Sequence, residues 1–296
     1  MKSTEPLVLM NPLEDRTHTI HSAERTNLIA PRMRQPLRKE IIESPTAGRS
    51  KGSNTMSWNQ SSSNQSSYSS PPLVDVRDER VSAFLSKVYG WMFLGLLITA
   101  LTAFAVASSP LLIETLILNR LLFWGLLFAQ LGLVFYLSAR VDKLAPATAA
   151  GLFAIYSGLV GITSSVILLI YTGSSITSTF IITAGMFGAT AFFGTVTRRS
   201  LAGVGQFFFM GLIGLIIASV VGIFWHSELL QFVISVVGVL VFTGLTAWDA
   251  QRLKQMAVAL PDGRAGTYAV VGALSLYLDF INLFFFLLRF TGNRRN

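Results

Sequence analysis

The sequence predicts an all-α, polytopic membrane protein with seven transmembrane helices and a polar N-terminal tail. Three observations lead to this fold class. Of the 296 residues, 52% are apolar and only 13% are charged, which is not the balance of a soluble globular protein. The charged residues concentrate before residue 88, and long apolar blocks follow. These blocks are continuous rather than alternating, so we expect helices instead of the strands of a membrane barrel.

The tail is predicted to comprise residues 1–77. Its Ser/Asn/Gln-rich tract at 48–72 cannot bury enough apolar surface to offset the entropy of ordering, so we expect a disordered cytoplasmic segment. Met56 lies inside this tract and raises the hypothesis that translation starts there. Residues 78–296 form the second predicted domain, which contains all of the membrane spans.

Seven apolar blocks in this domain are each long enough to cross a ~30 Å bilayer core, which takes roughly 20 helical residues. The predicted spans are 88–108, 121–139, 146–168, 175–197, 203–225, 230–250 and 268–290. Spans three and four belong to one charge-free stretch, which the polar segment "YTGSSITS" at 171–178 divides. Small residues four apart in "AGMFGA" at 184–189 predict close helix packing in span four.

The Lys and Arg residues of the loops cluster on one side of these spans. They precede span one and follow spans two, four and six, whereas the opposite loops contain Arg120 alone. Since cytoplasmic loops carry the excess of Lys and Arg, we expect a cytoplasmic N-terminus. Seven crossings place the C-terminus outside, where Arg289, Arg294 and Arg295 conflict with the rule, unless the last segment does not cross fully. The net charge of +8 therefore indicates membrane orientation and no nucleic-acid partner.

Two acidic residues lie inside the spans, Asp249 in "TAWDAQRL" (246–253) and Asp279 in "LYLDFINLFFF" (276–286). An Asp at a helix centre costs ~2.5 to 3.5 kcal/mol on insertion scales, so it normally faces the bundle interior and has a functional role. The simpler alternative is a structural hydrogen bond, for which Asn282 would hold Asp279. Two carboxylates in one low-dielectric site repel, titrate as a unit and share a proton, which suits pH sensing or transient Ca²⁺ coordination.

Basic residues near these spans are candidate partners for the carboxylates. Arg140 ends span two, and Arg252 follows Asp249 by three residues. Each also fits the simpler role of a positive-inside anchor. Gln130, Tyr156 and Gln206 are isolated polar groups that we assign to hydrogen bonds between helices.

Several enzymatic mechanisms lack their residues in this chain. The sequence has no cysteine, which excludes disulfides, thiolate metal sites and cysteine nucleophiles. Asp279 follows "LYL" and not the Gly-x-Gly of intramembrane aspartyl proteases, span seven has no lysine for a retinal, and a rhomboid-type Gly-x-Ser-Gly is absent. We therefore expect neither an enzyme nor a bound cofactor.

Three segments together resemble the Bax inhibitor-1 family, also called the transmembrane Bax-inhibitor-motif family, and its bacterial inner-membrane branch in particular. They are "VYGWMFLGLLITA" (88–100), "TAWDAQRL" (246–253) and "LYLDFINLFFFLLRF" (276–290), and the similarity covers about residues 78–296. The resemblance implies a multi-pass protein of the bacterial inner membrane, with a seven-helix bundle whose last helix is central and surrounded by the other six.

The resemblance also implies a function, a pH-sensitive calcium leak in which two aspartates of the last two helices share a proton. Asp249 and Asp279 match these aspartates. A basic residue of the second helix pairs with them in the closed state; Arg140 is the best match, although the register leaves Ser138 as an alternative. The Asp-Thr-Gln pattern of the family reads "DAQ" here, which keeps the Gln251 amide. The alternative function is a non-transporting regulator that binds another membrane complex, such as an AAA protease.

Overall fold

The computed structural model describes residues 73–225, 227–261 and 263–295, with side chains from residue 77 onward. The predictions for most of the tail, including its disorder and the start at Met56, lie outside the described residues. Seven long helices account for most of the described chain, and each is long and apolar enough to cross a membrane. The predicted fold class is therefore confirmed.

The helices match the predicted spans in order and number. Their bounds are α1 Leu73–Ala107, α2 Arg120–Ala139, α3 Pro146–Ile170, α4 Gly173–Val196, α5 Ala202–Phe224, α6 Glu228–Ala259 and α7 Ala265–Thr291. A short helical segment, Pro110–Leu118, joins α1 to α2. The polar segment between spans three and four ends α3 at Ile170 and begins α4 at Gly173, as the sequence predicts.

Local sequence explains where several helices begin. Asn119, Thr172 and Ser227 precede α2, α4 and α6, and each side chain accepts a hydrogen bond from a backbone N–H of the first turn. Pro146 occupies the first turn of α3, where its missing N–H removes no helical bond. These N-caps satisfy donors that the apolar first turns could not otherwise pair.

Two helices extend further than hydropathy predicts. Helix α1 begins at Leu73 rather than Val88, and α6 continues to Ala259. The extensions carry charges on one side, yet bury Phe84, Leu253 and Ala257 against the bundle. A hydropathy window detects the apolar block that crosses the membrane, and therefore misses amphipathic turns beyond it.

Helix α7 is the most buried helix of the bundle. In its most apolar window 61% of the residues are buried, against 6% for α2 and 11% for α5. It packs against α1, α3, α4 and α6, whereas α2 packs mainly on α3, and α5 mainly on α6. The last helix is therefore central, as predicted, but only four of the other six helices pack closely against it. A cavity beside α7 separates α2 from α5.

The small residues of "AGMFGA" do not mediate helix packing, so that prediction is wrong. A Cβ added at Gly185 or Gly188 would meet no atom within 4 Å. Helix α4 instead approaches α6 closely at Gly194, near the end of α4, where an added Cβ would collide with the backbone carbonyl of Ala247. A pair of small residues allows two helix backbones to approach each other. The rotation of α4 about its axis decides which of its small residues face a neighbouring helix.

Candidate functional site

A cavity of about 800 Å³ lies between α2, α5, α6 and α7, and we call it the central cavity. Most of its wall is apolar. Its polar residues are Asp249 and Arg252 from α6, Asp279, Asn282 and Ser275 from α7, and further groups from α2, α3 and α5, namely Gln130, Tyr156 and Ser219. The two predicted aspartates thus line one cavity, although they lie on different helices.

Asp279 is the more enclosed of the two aspartates. Only 5% of the residue is exposed, and among the described residues its Oδ2 atom has no hydrogen-bond partner. A buried carboxyl group without partners costs several kcal/mol if it is charged, so such an atom normally meets a proton, a water molecule or a cation. Asp249 is half-buried on the wall of the same cavity.

The position of Asp279 depends on the neighbouring Tyr277, which is fully buried. Its hydroxyl lies 2.6 Å from Oγ1 of Thr99 in α1, and that Oγ1 lies 2.9 Å from the carbonyl oxygens of Gly95 and Ser157. The Tyr277 ring makes an edge-to-face contact with Phe153 of α3, with 5.6 Å between the ring centroids. These contacts fix α7 against α1 and α3, and so turn Asp279 towards the central cavity.

Ser138, and not Arg140, lines a cavity together with Asp249. A smaller cavity of about 230 Å³, the Ser138 cavity, is lined by Ser138, Asp249, Arg252 and Ser275 among others. Arg140 caps the C-terminus of α2, is exposed, and is not among the residues that line either cavity. The role of Arg140 as a latch therefore stays a prediction.

Arg252 lines both cavities together with Asp249. Its guanidinium carbon lies 5.5 Å from the centroid of the Trp248 ring, a cation–π contact that holds the side chain over α6. The arginine thus brings a positive charge to the wall on which both carboxyl groups lie.

The side-chain amides of Asn282 and Gln251, which were predicted to support the carboxyl groups, form their hydrogen bonds with backbone groups. Asn282 lines the central cavity, but its Nδ2 atom donates to the Leu278 carbonyl at 2.8 Å, one turn back in α7. Gln251 is buried and holds the α4–α5 loop: its Nε2 donates to the Arg199 carbonyl at 2.8 Å, and its Oε1 accepts from the Leu201 N–H at 2.7 Å. Gln251 thus supports the bundle beside the site and not the carboxylates themselves.

Of the isolated polar residues, Gln130 forms the bond between helices that the sequence predicts. Its Nε2 atom donates to the Leu159 carbonyl of α3 at 3.1 Å. Ser219, Ser275 and Gln231 were not identified from the sequence as cavity residues. Whether a serine or glutamine in an apolar helix lines a cavity depends on the rotation of that helix, which the sequence does not specify.

Further cavities continue from the central cavity towards the end of the bundle at which α7 ends. A cavity of about 380 Å³ shares Ser219 and Asn282 with the central cavity, and Gln231 and Arg289 with a third cavity of about 790 Å³. Arg289 donates to Oε1 of Gln231 at 3.0 Å between these two cavities. Cavities that share wall residues therefore follow α7 from Ser138 at one end to Arg289 at the other.

Within the described residues, no group of three or more His, Asp or Glu side chains is close enough to hold a metal ion. The central cavity nevertheless has oxygen-bearing side chains of Asp249, Asp279, Asn282 and Ser219 on its wall.

Known proteins resemble most of this chain. The model of the family described as "Inhibitor of apoptosis-promoting Bax1" matches residues 81–296. The Inner membrane protein YbhL of Escherichia coli K12 is 47% identical over 218 residues, which cover 73% of this chain and 93% of the relative. An uncharacterized protein of Borreliella burgdorferi is 45% identical over 215 residues, covering 72% and 93% of the two chains.

The matched residues 81–296 contain most of α1, the other six helices, and the positions of both aspartates. Together with the seven apolar helices, the E. coli relative identifies a multi-pass inner-membrane protein. The chain belongs to the Bax inhibitor-1 family.

Proposed function

We propose that the protein is a pH-sensitive cation leak channel that conducts Ca²⁺ and is gated by a proton shared between Asp249 and Asp279. The observation that supports it most directly is that both aspartates line the central cavity from different helices. In this proposal the protein is not an enzyme, and Ca²⁺ is its cargo.

The proton acts through the charge of the aspartate pair. Two carboxylates on one cavity repel each other when both are charged, and a single shared proton relieves that repulsion. The carboxylate that remains charged attracts a guanidinium, which closes the cavity. Lowering the pH protonates the pair further, weakens this attraction and opens the cavity to cations.

Two arginines are candidates for the closing guanidinium. Arg252 already lines the central and Ser138 cavities. Arg140 follows Ser138 by two residues at the exposed end of α2, so it would reach Asp249 only after that end bends or rotates. We propose Arg140 as the latch that moves and Arg252 as the fixed charge on the wall.

The ion route follows the cavities beside α7. Oxygen atoms of Asp249, Asp279 and Ser219 occur along it, and hard cations prefer such ligands. Oxygen ligands spaced along a path, each binding weakly, allow a cation both to enter and to leave.

The test uses purified protein in liposomes that contain a calcium dye, over roughly pH 6 to 8. We expect Ca²⁺ flux through the wild type to rise as pH falls. Asp249→Asn and Asp279→Asn remove a titrating carboxyl group each, so their flux should no longer depend on pH. Asp78→Asn is the matched control, because Asp78 is an exposed aspartate near the start of α1 that lines neither cavity and should behave as the wild type.

Equal, pH-independent flux in all four proteins would overturn the proposal. An absence of flux, together with a stoichiometric membrane partner such as an AAA protease that purifies with both Asn variants, would favour the non-transporting regulator instead.

A further inference from the structure

Three arginines near the C-terminus lie on the face of the bundle opposite the other basic loops. We call this the C-terminal face; it carries the end of α7, the start of α6 and the α3–α4 connection. Arg289, Arg294 and Arg295 are exposed there. The channel proposal does not explain these charges, and a positive cluster on that face runs against the usual bias of the loops.

The backbone around Arg294 is fixed to the bundle. The Thr172 N–H donates to the Asn293 carbonyl at 3.2 Å, and the Arg295 N–H donates to the Ile170 carbonyl at 2.8 Å. The Asn293 N–H donates to Oγ of Ser175 at 2.9 Å. These three bonds tie residues 293–295 to the α3–α4 connection, so Arg294 starts from a rigid position.

Arg289 and Arg294 line the same cavity, of about 790 Å³, which we call the C-terminal cavity. Hydroxyl and amide groups of Ser227, Gln231 and Ser235 lie on its wall. Among the described residues that line the cavity, Glu228 is the single acidic one, against two arginines. The cavity therefore offers a net positive charge with several neutral hydrogen-bonding groups.

An apolar wall stands next to these charges. Phe232 of α6 and Phe290 of α7 line the cavity with their ring centroids 5.5 Å apart, and about half of each side chain is uncovered by protein. Leu229 lies three residues before Phe232, on the same side of α6, and is 72% exposed. Cationic groups in the last turn of α7 and just after it thus border a surface that only lipid chains would cover.

We propose that the C-terminal cavity binds the phosphate of an anionic membrane lipid, with Arg289 and Arg294 as the phosphate ligands and Phe232 and Phe290 against the glycerol and upper acyl chains. Guanidinium groups hold phosphate oxygens through paired hydrogen bonds, and basic pockets between transmembrane helices recognise such head groups. The site lies at the end of the series of cavities beside α7, but lipid binding there does not require ion flux, so the inference goes beyond the channel proposal.

The phosphate has two possible sources, and the apolar wall favours the lipid. A free phosphate ion would gain nothing from Phe232, Phe290 or Leu229, whereas a lipid would cover them. Gln231 bonds to Arg289 at 3.0 Å and orients that guanidinium along the cavity wall, which reduces the ordering cost of binding.

The test is native mass spectrometry of the full-length protein in detergent, titrated with phosphatidylglycerol, with phosphatidylcholine and with inorganic phosphate. We expect the wild type to bind phosphatidylglycerol about tenfold more tightly than phosphatidylcholine. Arg294→Gln and Arg289→Gln should each weaken phosphatidylglycerol binding about fivefold, the change that corresponds to ~1 kcal/mol per basic residue.

Arg295→Gln is the matched control, since Arg295 is the next residue, has the same charge and does not line the cavity. Its binding should equal that of the wild type. Arg294→Lys keeps the charge but loses the paired donors, so it should lie between the wild type and Arg294→Gln. Elution on size exclusion checks that each variant is folded.

Three results would overturn the proposal. The first is equal affinity of the wild type for the two lipids. The second is a loss with Arg295→Gln as large as with Arg294→Gln, which would indicate general surface charge. The third is inorganic phosphate that displaces phosphatidylglycerol at similar concentration, which would indicate a site for a soluble anion.

Discussion

Tyr277 holds α7 in position near the site through both its hydroxyl group and its ring. It lies two residues before Asp279, and its hydroxyl connects α7 to Thr99 of α1. Intramembrane hydrogen bonds contribute little more than those in water, because the unfolded chain in lipid also finds partners. Most of the effect of this side chain should therefore come from its ring, which packs between Phe153 and Tyr156.

Tyr277→Phe should destabilise the folded protein by about 1 kcal/mol, since it removes one buried hydrogen bond and keeps the ring contacts. The thermal midpoint in detergent measures this loss. Tyr136→Phe is the control, because Tyr136 is 47% exposed and should leave the midpoint unchanged. A Tyr277→Phe protein as stable as the wild type would show that the bond to Thr99 does not hold α7.

Gln251→Ala should loosen the α4–α5 loop, because the Gln251 amide makes both a donor and an acceptor bond to its backbone. Loss of ~1 kcal/mol of local stability corresponds to about fivefold faster proteolysis of the opened loop. Trypsin cleavage after Arg198 and Arg199, followed by mass spectrometry, measures the rate. Gln255→Ala is the control on the same helix; if it accelerates cleavage equally, the loop is not held by Gln251.

At the scale of the helices, packing depends on which face of each helix meets a neighbour. Helices α4 and α6 approach closely at Gly194, whereas Gly185 and Gly188 of α4 face open space. Composition alone does not separate these glycines, because all three lie in the same apolar helix.

Gly194→Ala should destabilise the fold by about 1 to 3 kcal/mol, because its Cβ would collide with backbone of α6, which cannot move aside as a flexible side chain would. Gly185→Ala should be neutral or stabilise by up to about 1 kcal/mol through helix propensity. Thermal midpoints of the two variants in detergent test this difference. Equal destabilisation by both would contradict the packing of α4 against α6.

For the whole molecule, the sequence predicted the number, order and approximate bounds of the helices well. Each membrane crossing leaves an apolar block of known minimum length, so hydropathy identifies it. The start of α1 at Leu73 and the end of α6 at Ala259 were not predicted, because amphipathic turns outside the bilayer do not form a continuous apolar block. The incomplete enclosure of α7 by α2 and α5 depends on packing that no single segment encodes.

The candidate site could be predicted only in part. Asp249 and Asp279 stood out because a carboxyl group in a membrane span is costly. The partners of Gln251 and Asn282 could not be predicted, since a side-chain amide can bond to any nearby backbone and the loop at 199–201 is distant in sequence. Whether Ser138 or Arg140 shares a cavity with Asp249 depended on the rotation at the end of α2, which the sequence left ambiguous by two residues.

The central claim is that Asp249 and Asp279 titrate as one unit that controls Ca²⁺ flux. The most direct test is the pH dependence of flux in liposomes for the wild type, Asp249→Asn, Asp279→Asn and the double variant. If the two groups act as a unit, each single substitution should abolish the pH dependence as completely as both together. Additive effects of the two substitutions, or a pH dependence that survives in the double variant, would contradict it.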